Sequence, residues 1–387
     1  MKRLVFILIA AAIFVSISGG RAIEREYRLG GRLVPGPLPP NPYLDKPPLD
    51  LQTDVLYYHA DVQKQRFDFA KPSVCRDQKV PLVIYIHGGG WSSGDKGGIF
   101  DRGDTKMLFQ LGFAVASVNY RLAPQSRWPA PVHDCKLAVR FFRRYADLYG
   151  IDPDRIGVFG DSAGGHLAAL LATADDDDGL EGPGLAGTSS RVAVAVERFG
   201  PTDLLDEGSV TTSDGLSMVL GLLGCHPQQC PAAAAQASPV TYVTPDDPPI
   251  LIQHGDKDSL VPYRQAERLA ERLRSAGNAG ALIKVRNAEH AFIPSPITAA
   301  LGPSVETVAF MTVAHLARTL EPGAWGDLNL SGRRNGLDVA ELGKRLGEAG
   351  IAFPSLPAPD SWNPLADLVL DGVVDARDLS AFFQIRR

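Results

Sequence analysis

Along the middle of the chain, short apolar runs alternate with longer segments of helical spacing. PLVIYI (81–86) and FAVASV (113–118) are continuous apolar runs, the pattern of strands covered on both faces. KLAVRFFRRYADLYG has helical spacing, and DRIGVFGDSAGGHLAALLAT reads as a strand, a turn and a helix. RVAVAVERFG and PPILIQHGD are further strands that end in polar loops, and ALIKVRNAEHAF is the last. Strands interleaved with helices of this length predict an α/β class, a mostly parallel sheet flanked by helices on both faces. In such sheets the chemistry gathers at the carboxyl ends of the strands, where these polar loops fall.

The two ends of the chain depart from this pattern. Lys2 and Arg3 precede an unbroken apolar stretch, Leu4 to Val15, and Ser16, Ser18, Gly19, Gly20 and Ala22 follow. This reads as a secretory signal peptide over residues 1–22, too short for the ~20 residues of a membrane span. No later segment is apolar for long enough to cross a bilayer, so a secreted, periplasmic or cell-surface protein is expected, with no membrane span after cleavage. Residues 23–50, rich in Pro, Gly and Arg, read as an extended arm. The regular pattern occupies 51–320, and a segment of different composition runs from 321 to 387. Within the regular part, 173–190 is a polar, Gly-rich insertion with aspartates at 175–178, expected to be a flexible solvated loop.

The 387 residues are 45% apolar and 21% charged, an ordinary globular composition, and the net charge of −5 argues against a broad basic nucleic-acid surface. Export permits disulfides. Cys225 and Cys230 flank a short loop suited to one bridge. Cys75 and Cys135 are then either paired together or single, and spacing does not choose among the three connectivities. His226 between the close pair is poor zinc spacing.

Gly160-Asp161-Ser162-Ala163-Gly164 matches G-x-S-x-G, and its setting between a strand and a helix is that of a nucleophile elbow. The flanking glycines are expected because side chains there would collide with the neighbouring strand and helix. A serine hydroxyl needs a base. In this chain order the base follows an acid that itself follows the serine. His59, His87 and His133 precede Ser162; His166 lies on the elbow helix; His226 sits in the cysteine loop; His254 begins the HGDKD segment; and His315 falls in the final helix. His290, after the last strand, is left as the base. Asp256 and Asp258 both qualify as the acid on chemistry; Asp258 is the choice, with Asp256 bracing the loop and the neighbouring Glu289 on the surface. His87-Gly88-Gly89-Gly90-Trp91 follows a buried strand, and its glycines let backbone N–H groups approach a tetrahedral intermediate; the N–H of Ala163 supplies one more donor.

YIHGGGWSSGDK, SVNYRLAP, DPDRIGVFGDSAGGHLA, FGPTDL, HGDKDSLVP and AEHAF together resemble the α/β-hydrolase carboxylesterases of the hormone-sensitive-lipase and feruloyl-esterase-like groups, over roughly residues 50–318. The resemblance implies Ser162, Asp258 and His290 as a triad. It implies Gly89, Gly90 and Ala163 as oxyanion donors, with His87 structural and no cofactor for catalysis.

In the tail, Asp327, Asn329, Ser331, Arg333 (by its carbonyl), Asn335 and Asp338 occupy positions 1, 3, 5, 7, 9 and 12 of a calcium loop, with Gly332 at the turn. Asp367, Asp371, Gly372, Val373, Asp375 and Asp378 repeat the pattern, although Val369 at position 3 offers no side-chain oxygen. The tail resembles a dockerin domain, which implies a small α-helical EF-hand-like module, structural Ca2+ and a protein partner. The whole chain is expected to be a secreted serine esterase acting on a small or carbohydrate-linked ester. A serine peptidase of the same fold and a catalytically idle adhesion or scaffold module are the alternatives.

Overall fold

In the strand Val80–Ile86 every residue is buried, yet its side chains go to two different places. Leu82, Ile84 and Ile86 join one core cluster, and Val83 and Tyr85 join another. That two-residue alternation, with no polar face, marks a strand with a core on each side of its sheet.

The computed structural model describes residues 48–58, 64–206, 208, 212–278 and 280–320, together with the backbone strands at 27–29 and 32–34. The leader (1–22) and both calcium-loop patterns of the tail lie outside the described residues. Strands β1 (Tyr27–Leu29) and β2 (Arg32–Val34) pair antiparallel as a hairpin, in a unit of its own that ends at Asp45. The hairpin falls within the segment 23–50, and the main sheet begins at Leu49.

That sheet has eight strands: β3 (Leu49–Leu56), β4 (Arg66–Pro72), β5 (Val80–Ile86), β6 (Ala114–Val118), β7 (Ile151–Asp161), β8 (Val194–Arg198), β9 (Ile250–Gly255) and β10 (Ala281–Val285). Their order is β10-β9-β8-β7-β5-β6-β4-β3. Every pairing from β10 across to β6 is parallel, as the alternating pattern predicts, whereas β4 runs antiparallel to both β6 and β3. The antiparallel edge was not anticipated. Its cause is the connection between β3 and β4, too short for the crossover helix that parallel neighbours require. The outer strand β3 is polar and largely exposed, which blunts an otherwise open edge.

Helices α1 (Gly103–Gln110), α2 (Ala130–Arg144), α3 (Ala146–Tyr149), α4 (Ala163–Thr173), α5 (Ser213–Leu223), α6 (Pro231–Gln236), α7 (Arg264–Ser275) and α8 (Val305–Leu320) complete the unit. Residues of α2, α4 and α7 pack in the first core cluster, and residues of α1 and α8 in the second. All of α4 is buried, so its sequence shows no polar face. No helix among the described residues is long and apolar enough to cross a membrane.

Two expectations about loops resolve differently. Cys225 and Cys230 form the expected bridge, and Cys75 and Cys135 are single thiols. The insertion at 173–190 is not a free loop. Leu180 is fully buried, and Glu181 accepts from the buried Lys136 Nζ at 2.7 Å, with Arg140 beside it. A buried lysine needs such partners, and the insertion supplies them. Its acidic tip, Asp176 to Asp178, is exposed.

Candidate active site

Strand β7 ends at Asp161 and α4 begins at Ala163, so Ser162 occupies the turn between them, with φ 56° and ψ −118°. A serine rarely adopts that left-handed conformation, and its neighbours hold it there. The Ser162 N–H donates to Arg198 O at 2.8 Å on β8, and Ser162 O accepts from His166 N at 2.9 Å in the first turn of α4. The glycine requirement is visible on both sides. A Cβ on Gly160 would collide with Gly164 O, and a Cβ on Gly164 would collide with Ile86 O on β5. Only glycines let the helix start this close to the strands.

The fold brings Ser162, His290 and Asp258 together from three separate strand ends. Ser162 Oγ lies 2.9 Å from His290 Nε2, and His290 Nδ1 lies 2.7 Å from Asp258 Oδ2. The Asp258 carboxylate is buried and every lone pair is used. Its Oδ1 accepts from the N–H groups of Leu260 (3.0 Å) and Val261 (2.8 Å), and its Oδ2 is also 3.3 Å from His254 Nε2. Burial alone would raise this carboxyl; the hydrogen bonds from His254 and His290 outweigh it and lower it to about 2. An ionised Asp258 can only accept, so the proton of His290 resides on Nδ1 and Nε2 is left to accept from Ser162. The imidazole also packs edge-on against Phe199 at 5.0 Å.

The loops around the acid and the histidine brace each other. Asp256 Oδ1 accepts from Asn287 N at 2.7 Å, the loop-bracing role expected of it. Glu289 corrects its expected place on the surface. It is half-buried, and its Oε2 accepts from Ser259 N at 2.9 Å. Strands β9 and β10 are neighbours, so a carboxylate after one reaches a backbone N–H after the other.

On the opposite side of Ser162, the loop after β5 turns tightly. Gly89 O accepts from the N–H groups of Ser92 and Ser93, which closes the turn and presents Gly90 beside Ala163. Gly90 and Ala163 line the cleft at Ser162; Gly89 holds the turn behind them. His87 is structural: it is buried, stacks on Tyr120 at 4.4 Å, and its Nδ1 donates to Gly88 O at 2.7 Å. The cleft opens to solvent, about 280 Å³ with its mouth included, between apolar walls of Trp91, Pro201, Met218, Leu260 and Val261.

Several supporting residues escaped the sequence reading. Trp91 Nε1 donates to His166 Nδ1 at 3.2 Å, and His166 Nε2 lies 2.6 Å from Ala237 O, so this buried histidine is neutral with its proton on Nε2. Burial pushes it down to about 4. Asp161, next to the serine, accepts from Arg102 at 2.6 Å and from the Tyr85 hydroxyl at 3.0 Å. Arg198 links Asp104 and Thr312 beneath the elbow. Glu197, fully buried at the end of β8, accepts from Gly200 N through one oxygen and has no partner at the other. Burial pushes its carboxyl up to about 8, so it holds a proton at neutral pH. The one available signal was the Glu-Arg pair interrupting an otherwise apolar strand.

The BD-FAE family model matches residues 67–273, more than half of the chain, a segment that holds Ser162 and Asp258. The chain is 32% identical over 223 residues to esterase LipQ of Mycobacterium tuberculosis, covering 57% of this chain and 52% of LipQ. It is 34% identical over 214 residues to the probable carboxylic ester hydrolase LipM of the same organism, covering 53% of this chain and 47% of LipM. The chain thus spans about half the length of these curated relatives. Among solved structures, a truncated carbohydrate esterase from gut microbiota is similar at a TM-score of 0.61 and 27% identity, covering 70% of this chain and 96% of that one.

Proposed function

This chain belongs to the BD-FAE family and has the α/β-hydrolase fold, and from that footing we propose that it is a serine ester hydrolase. The observation that carries the reading is the unbroken hydrogen-bonded chain from Ser162 through His290 to the buried Asp258 at the edge of an apolar cleft. Ser162 Oγ attacks the ester carbonyl carbon while His290 Nε2 takes its proton. Asp258 stabilises the resulting imidazolium. The oxyanion of the tetrahedral intermediate is received by backbone N–H groups of the glycine loop, Gly89 and Gly90, and of Ala163. Collapse expels the alcohol, which leaves with the proton from His290, and an acyl group remains on Ser162. Water, activated by the same imidazole, then releases the acid.

We place the substrate among acyl groups carried on carbohydrate. The likeness to a carbohydrate esterase supports this, as does the resemblance of the tail to modules that attach enzymes to partners. Export through the leader and calcium at 327–338, with a weaker or vacant second loop at 367–378, belong to the same proposal and rest on the sequence pattern. A change in circular dichroism on adding calcium or chelator to the full chain is the expected outcome for the tail.

The catalytic reading is tested with a fluorophosphonate probe and p-nitrophenyl acetate. Wild type should be labelled and should turn over the ester, and Ser162→Ala should do neither while keeping its melting temperature. Near-wild-type turnover by that variant would overturn the assignment.

A further inference from the structure

The cleft beside Ser162 must hold one half of the ester, and the position of the base decides which half. His290 has to hand its proton to the departing alkoxide oxygen, so the alcohol lies on the His290 side. Among the described residues, neither His290 nor the Phe199 ring packed on it lines the cleft, although Leu260 and Val261 of the loop after Asp258 form part of its wall. Gly90 and Ala163 line it, and they flank the site of the developing oxyanion. The cleft is therefore the acyl side.

Its dimensions are set by few side chains. Trp91 is buried and pinned by its hydrogen bond to His166, which makes one wall rigid. Met218 on α5 closes the opposite side, directly over the oxyanion loop. A Cβ built on Gly90 would meet Met218 Sδ and would stand 2.7 Å from its Cγ. One turn earlier on the same helix, Gly215 also lines the cleft and contributes no side chain. Helix α5 itself is anchored: Val219 and Leu222 are fully buried, Leu222 O accepts from Trp128 N at 2.9 Å, and the Cys225–Cys230 bridge follows its end. The helix is fixed while the Met218 side chain is not, since its three torsions can rearrange. The space in front of Ser162, open solvent at its mouth included, is about 280 Å³.

We propose that Met218 is the specificity-determining residue of the acyl site, admitting short unbranched acyl groups such as acetyl and rejecting long-chain or hydroxycinnamoyl groups. This rests on the serine-hydrolase reading, and the experiment separates the two. kcat/KM is measured with the full chain on p-nitrophenyl acetate, butyrate and octanoate and on a ferulate ester, for wild type, Met218→Ala and Met218→Leu. In wild type the octanoate-to-acetate ratio should lie below about 0.1, with ferulate slower still, since each poorly housed methylene costs roughly tenfold or more. Met218→Ala should raise that ratio about tenfold, and Met218→Leu, of similar volume, should leave it near the wild-type value. A wild-type enzyme that hydrolyses octanoate or ferulate as fast as acetate overturns the proposal, even if the alanine variant fails to fold. An unchanged ratio in folded Met218→Ala overturns it too. Absence of fluorophosphonate labelling at Ser162 would instead sink the hydrolase reading itself.

Discussion

Ser162 divides two regions built on opposite terms. On the Asp258 side the carboxylate is fully matched: it takes two backbone N–H groups and two imidazoles, and Glu289 and Asp256 tie the flanking loops together. On the cleft side the walls are apolar, with Leu260 and Val261 of the acid loop shared between the two regions. A hydrogen-bonded constellation tolerates almost no substitution, because a buried group left unpaired costs more than the bond it lost. An apolar wall can be remodelled, and its changes should alter which substrate enters before they alter whether chemistry occurs.

The largest test of that contrast is Ser162→Ala, for which a loss of roughly 10⁶-fold in kcat is expected. Asp258→Asn should follow at roughly 10⁴-fold, measured on p-nitrophenyl acetate, because an amide allows the wrong tautomer of His290. A loss below tenfold would show that the polar side does not depend on its carboxylate. Gly90→Ala reaches across to the other region. Its backbone has φ 58° and its new methyl meets Met218, so a loss of ~10²-fold is expected by displacement of the oxyanion loop. Adding Met218→Ala should recover part of that loss in a double-mutant cycle. No recovery would mean that the backbone conformation, not the wall, is responsible.

The smallest expected effect on turnover at neutral pH is that of Glu197→Gln, whose consequence is for stability. The folded chain keeps a proton on Glu197 up to about pH 8, whereas the unfolded chain releases it near the ordinary value of 4.5. Between those limits the native state binds the extra proton, so wild type loses stability as pH rises. Glutamine keeps the acceptor for Gly200 N and cannot ionise. The melting temperature of Glu197→Gln should therefore gain on wild type from pH 5 to pH 8, by ~3 °C or more, and then level off. An identical difference at both pH values would show that the buried carboxyl is not held neutral.

How legible each part was follows from the range of the interaction behind it. The parallel strands, α4 and the elbow were readable because their signals are local: a run of apolar residues, a glycine that a close approach demands, a turn between strand and helix. His290 emerged from chain order alone, without any contact. The antiparallel β3–β4 edge was missed because its polar strand carries little apolar signal. The insertion at 173–190 departs from a free loop because Glu181 pairs with Lys136 of α2, far away in sequence. Glu289 was misplaced for the same reason, its partner Ser259 standing thirty residues back.

Local sequence was enough for the class of fold, the candidate nucleophile and base, and the glycines that shape the loop beside them, since each depends on backbone geometry that neighbouring residues dictate. The tertiary structure decided the rest. It set the full pairing of Asp258, the neutral Glu197 under the elbow, and the wall that Met218 raises over Gly90. Those depend on which surfaces the packed sheet and helices bring within a few ångströms, and on how much water that packing excludes.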